Sequence, residues 1–106
     1  MGKTKIKTEV NMNNEFENKH ISFSGEMKKD GIYEMAQEAI KLGAIWDENV
    51  TSETDILVRG KDFLEKSDES IYDKNSRLAH DYNVTQAKNF KIKIISENEF
   101  FEKINN

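Results

Sequence analysis

At 106 residues, 34% of them charged and 36% hydrophobic, the chain is long enough for one domain with a modest core under a very polar surface. The absence of cysteine excludes a disulfide framework or a thiolate metal site, and two histidines, His20 and His80, are too few for a histidine-built one, so neither metal nor cofactor is expected. No apolar run reaches membrane-span length, which suggests a soluble, cytoplasmic protein, and the net charge of −4 argues against one that coats duplex DNA through many phosphates.

Residues 1–18 are polar and asparagine-rich and read as a flexible tail, in which Lys3 to Val10 alternates weakly like an edge strand and Phe16 alone is suited to dock. The domain proper is expected over 19–106. His20 to Phe23 supplies the β-branched and aromatic residues of a half-buried strand, followed by a Ser24–Gly25 turn. Ile32, Met35, Ala36, Ala39 and Ile40 then fall on one helical face, and Gly43 stands where a helix end tolerates positive φ. A strand turning sharply into a helix leaves backbone N–H groups and a hydroxyl at the helix start, a natural place for an anion.

Past that helix, Ala44-Ile45-Trp46 predicts a second strand and Asp47 to Thr54 a polar turn. Asp55 to Gly60 holds an apolar triplet ended by glycine, as in a strand buried on both faces. Residues 61–74 read as a charged loop. Leu78, Ala79 and Tyr82 mark a second, weaker helix reaching back toward Ile71, with a spacer through Ala87 and a fourth strand at Ile92 to Ile95. Ser96 and Glu99 form a capping box before a closing helix that buries Phe100, Phe101 and Ile104. The alternation β-α-β-β-α-β-α predicts a three-layer α/β domain.

Four stretches in register resemble the BRCT domain found singly in bacterial NAD-dependent DNA ligases, in DNA polymerase III-type exonuclease proteins and in replication factor C large subunits. They are Phe23-Ser24-Gly25, Leu42-Gly43-Ala44, the segment from Val50 to Gly60 (VTSETDILVRG) and the segment from Ile94 to Phe101 (IISENEFF). The resemblance implies a four-stranded parallel sheet in order 2-1-3-4, with the first and third helices on one face and the second on the other. It also implies a phosphate pocket: the Ser24 hydroxyl and Gly25 N–H hold the anion, and a cation from the second helix completes it. Arg77, in Ser76-Arg77, is the better match for that cation and Lys74 the alternative. Where DNA-binding relatives carry an arginine in the first helix this chain has Ile32, with Lys28 and Lys29 as substitutes and Thr54 as a further DNA-flanking candidate.

Read without the resemblance, the same residues have plainer roles. Ser24 can cap a helix, Thr54 can order the loop before the third strand, and Arg77 can pair with Asp73 four positions earlier. His80 reads as a surface helix residue, His20 as a strand-start residue, and Glu65, Asp68 and Glu69 as solvated. No spacing suggests a nucleophile with its base, so no catalytic residue is expected. The expected function is a non-catalytic phosphate-recognising module of DNA replication or repair, binding DNA near a 5′-phosphorylated end. Alternatives are a module docking on a phosphoprotein or repair protein, or the C-terminal piece of a ligase or exonuclease; pairing with a second copy is compatible with any of them.

Overall fold

The structure, a computed structural model, describes residues 14–105. Four short segments rich in β-branched and aromatic residues form the strands β1 (His20–Ser24), β2 (Ile45–Trp46), β3 (Ile56–Arg59) and β4 (Lys93–Ser96). All pair in parallel, in the order β2-β1-β3-β4. Parallel neighbours require crossovers, supplied here by α1 (Ile32–Lys41) and α2 (Ile71–Asn89), with α3 (Glu97–Ile104) closing the chain. The predicted strand order and α/β class hold.

The pleat sorts the sheet into two unequal faces. Ile21, Phe23, Ile56, Val58 and Ile95 point to one side, where Met35, Ala36 and Ala39 of α1 and Phe100 of α3 complete the main core. Leu57 points to the other side and meets Val84 and Ala87 of α2, with Val50 from the β2–β3 loop. On that second face β1 contributes Ser22 and Ser24, both buried. The layer between β1 and α2 is therefore polar. That asymmetry positions the site.

Several expectations need correction. α2 runs for 19 residues rather than as a short helix with a spacer, and Ser70 caps it by accepting the Asp73 N–H at 3.0 Å. Its buried side is His80, Asn83, Val84 and Ala87, whereas Ile71, Leu78 and Tyr82 are exposed. The apolar residues mislead because two polar residues occupy the inward stripe, His80 with its partner Ser24 and Asn83 with partners in the β2–β3 loop. α1 begins at Ile32 after an uncapped Gly31, so the Ser24–Gly25 turn does not run straight into a helix.

The boundary at residue 19 also moves. Phe16 is 1% exposed and packs 5.5 Å from the Phe100 ring. Asn14 donates to the Leu42 carbonyl at 2.6 Å and accepts the Phe16 N–H, while Asn18, at φ 64°, donates to the Gly43 carbonyl. Gly43 itself sits at φ 90°, where a helix end needs glycine. The folded unit thus includes residues 14–18. The remainder of the expected tail, with its Lys3 to Val10 pattern, lies outside the described residues.

Candidate anion site

β1 is the switch point of the sheet: the α1 crossover leads to β2 on one side, while β3 pairs on the other. In open parallel sheets ligands gather at the carboxyl ends of strands at such a point. Ser24 ends β1, and Gly25 follows at φ 100°. A Cβ on Gly25 would lie 2.9 Å from the Gly60 carbonyl carbon, so both the backbone angle and the space demand glycine. The exits of β1 and β3 are zipped together. Gly60 N–H donates to the Ser24 carbonyl at 2.7 Å, and Glu26 and Lys61 exchange two backbone bonds of 2.8 Å. This zip carries Asp62 up beside the end of β1.

The resulting cluster is a chain of hydrogen bonds across the polar layer. Ser24 Oγ lies 2.7 Å from His80 Nδ1, and His80 Nε2 lies 2.6 Å from Asp62 Oδ1. Ser24 and His80 are buried, whereas Asp62 reaches solvent and also holds Arg59 at 3.0 Å. Phe63 stands edge-on to the imidazole with centroids 5.8 Å apart. One turn further along α2, Asn83 accepts the Val50 N–H at 2.9 Å and donates to Asn49, fixing the β2–β3 loop against the helix. Ser24, Gly25, Ile32, Glu48, Asn49, Tyr72 and His80 are among the residues lining a depression of about 310 Å³ over the end of β1. Gly25 N–H meets no backbone acceptor among the described residues. The hydrogen bonds from His80 and Arg59 hold the Asp62 carboxyl below its ordinary range, so it stays ionised at neutral pH.

Of the residues expected to bind phosphate, only Ser24 and Gly25 come together here. Ser76, Ala79, His80 and Asn83 share the α2 stripe that faces the depression, and Arg77 sits about 100° round the helix from Ser76. Its guanidinium is engaged by Glu69 at 2.7 Å, with Glu65 at 3.9 Å, rather than by Asp73. That pairing lowers the Glu69 pKa and raises that of Arg77. Glu69 is therefore not simply solvated. Lys74 is exposed and lies on the side of α2 away from the depression.

Lys28 and Lys29 are exposed on the β1–α1 connection, where the Glu97 carboxylate accepts both their backbone N–H groups at 2.9–3.0 Å. The Lys29 ammonium rests 5.1 Å from the centre of the Phe101 ring. Thr54 is buried: its hydroxyl donates to Asp47 and accepts the Thr51 N–H, so it orders the loop and is not a DNA-flanking group. His20 joins the same knot, 3.0 Å from Asp47, which raises the His20 pKa.

No protein-family model matches the chain, and no curated protein does either. Among the described residues no group of three or more metal-ligating side chains is assembled, and no helix is long and apolar enough to cross a membrane.

His80 and Asp62 are the members that sequence reasoning missed. One signal was present: Ser22 and Ser24 alternate with Ile21 and Phe23, so one face of β1 was bound to meet polar groups.

Proposed function

We propose that the chain is a non-catalytic binding module of the BRCT kind, serving DNA replication or repair by holding an anionic group of a protein partner at Ser24 and Gly25. The observation that carries this reading is the open depression at the switch point of the sheet, floored by a hydroxyl and a backbone N–H beside a histidine. Its lining holds one imidazole, His80, and one carboxylate, Glu48, with the Asp62 carboxylate behind the imidazole. Such a site suits one tetrahedral anion, not a polyanionic duplex. Tyr72 at its edge is 79% exposed, and Leu64 and Ile71 nearby in sequence are also exposed, apolar area of the sort a protein partner covers.

Ser24, His80 and Asp62 have the connectivity of a hydrolytic triad. Binding is the better reading because Ser24 is only 4% exposed. A hydrogen bond from the floor of a depression needs only the hydroxyl tip. Nucleophilic attack needs a substituted carbon brought within about 3 Å along a defined approach.

A second reading, binding at a 5′-phosphorylated DNA end, is favoured by exposed Lys28 and Lys29 just past Gly25. One experiment separates the two. Fluorescence anisotropy would compare a phosphoserine peptide pool and its unphosphorylated counterpart with a short duplex with and without a 5′-phosphate, on wild type and Ser24→Ala. Phosphate-dependent peptide binding that Ser24→Ala abolishes is expected. Phosphate-dependent binding of the duplex alone favours the DNA end, and no phosphate dependence in either pair refutes the module altogether.

A further inference from the structure

The hydrogen-bond chain has a direction, and a single proton reverses it. Asp62 is ionised and can only accept, so the facing nitrogen of His80, Nε2, carries a hydrogen. In neutral imidazole the other nitrogen, Nδ1, is then a bare acceptor. The Ser24 hydroxyl, 2.7 Å away, must spend its only hydrogen on it. Ser24 then offers the depression nothing but lone pairs, which repel an anion. When His80 is protonated, Nδ1–H donates to Ser24 Oγ instead. The hydroxyl hydrogen is released and can point into the depression, next to the Gly25 N–H, with a positive imidazolium behind it.

Resting on the anion-site reading above, we propose that protonation of His80 switches Ser24 from acceptor to donor, so that the site takes a tetrahedral oxyanion in its protonated state and rejects it in its neutral state. His80 is thus a positioning residue acting through Ser24, and Asp62 fixes which way the chain runs.

The groups around the imidazole support that assignment. From the loop after β3 come Asp62, with Arg59 behind it, and Phe63, whose edge packs on the ring. From the β1 turn come Ser24 and Gly25, whose added Cβ would touch His80 Cε1 at 2.9 Å. From the β2–β3 loop Glu48 lines the depression, and Tyr72 does so from α2 itself. Among these, His80 is the one imidazole, the side-chain type suited to a change of charge near neutral pH. With Ser24 and His80 both buried, the switch has no slack in which the hydroxyl could serve both masters.

The probe is sulfate, which keeps its double charge throughout this range, unlike a phosphate group. Binding would be read at constant ionic strength from the Gly25 amide resonance, at about pH 5.5 and about pH 8. The proposal expects about tenfold tighter binding at the lower pH, from a charge-assisted donor gained and a lone pair turned away. By reciprocity, the His80 ring signals titrate at higher pH with sulfate present, while those of His20, paired with Asp47 at the start of β1, do not move.

Asp62→Asn gives the decisive comparison. Its side chain is 56% exposed, so the substitution leaves the fold intact. An amide can also donate to Nε2 and leave the hydrogen on Nδ1, so the direction of the chain is no longer fixed. The switch therefore predicts that the difference in sulfate affinity between the two pH values shrinks in Asp62→Asn. Equal affinity of the wild type at both pH values, or a difference undiminished in Asp62→Asn, overturns the switch and leaves the anion site standing. No Gly25 response to sulfate at either pH overturns the anion site, and the switch with it.

Discussion

Replacing Phe16 by alanine tests whether the segment before β1 belongs to the fold. The ring is fully enclosed, lies 5.5 Å from Phe100 and belongs to the main core with Ile21, Met35 and Phe23. Emptying such a site costs about 3–5 kcal/mol through lost transfer energy and the cavity left behind. Small domains have only about 5–15 kcal/mol in total, so the loss is a large share of it. At about 4 °C per kcal/mol, the melting temperature should fall by at least about 12 °C. The assay is thermal and urea denaturation followed by circular dichroism, on Phe16→Ala and on chains beginning at Asn14 or Lys19. The chain from Lys19 should lose still more, since it also gives up the Asn14–Leu42 and Asn18–Gly43 hydrogen bonds. Equal melting of the two truncated chains would refute the reasoning and return the boundary to residue 19.

Four further outcomes follow from the structure. Glu97→Gln should lower stability by about 1–3 kcal/mol in urea titrations, because the two charge-assisted bonds from the Lys28 and Lys29 N–H groups become bonds to a neutral amide oxygen, with an NH2 in place of the second acceptor. Ser22→Ala should leave stability unchanged or raise it by up to about 1 kcal/mol, since the Ser22 hydroxyl is buried without a partner among the described residues; a marked loss would reveal one. The His20 pKa is raised in the folded state by Asp47, so this pair's contribution is full below about pH 6.5 and fades as pH climbs through the higher folded value. The melting difference between wild type and His20→Gln should therefore shrink from about pH 6 to about pH 8.5. Arg77→Met should leave sulfate binding at Ser24 unaltered while loosening the Glu69 segment, seen as faster amide exchange there; weakened binding would put the guanidinium back in the site.

How far the sequence was legible depended on which force set each element. Hydrophobic runs with β-branched residues marked β1 and β3 within a residue or so, and Ser96 with Glu99 announced α3, whose capping box is present in full. Gly43 marked the end of α1 because its positive φ has no cheap substitute. α2 was misread for a physical reason. Its inward face is held by His80 and Asn83 through hydrogen bonds to residues 18 or more positions away, and no local periodicity encodes such partners. The same gap hid the site. Ser24 and Gly25 were visible as a turn, but the imidazole beside them comes from α2 and its carboxylate from the loop after β3. Arg77 stands out because Ser76-Arg77 resembles a family pair, but one residue of helix turns a side chain through about 100°.

The placement of α3 bears on how the chain is made. Phe100 touches Phe16, Phe23 and Phe101, and Glu97 ties down the β1–α1 connection, so the last helix closes a core begun by the first strand. A ribosome adds about 5–20 residues per second. Ile21 and Phe23 therefore wait roughly 4–15 s after synthesis before Phe100 can cover them. Until then the nascent chain carries an apolar sheet face that its last helix has yet to cover.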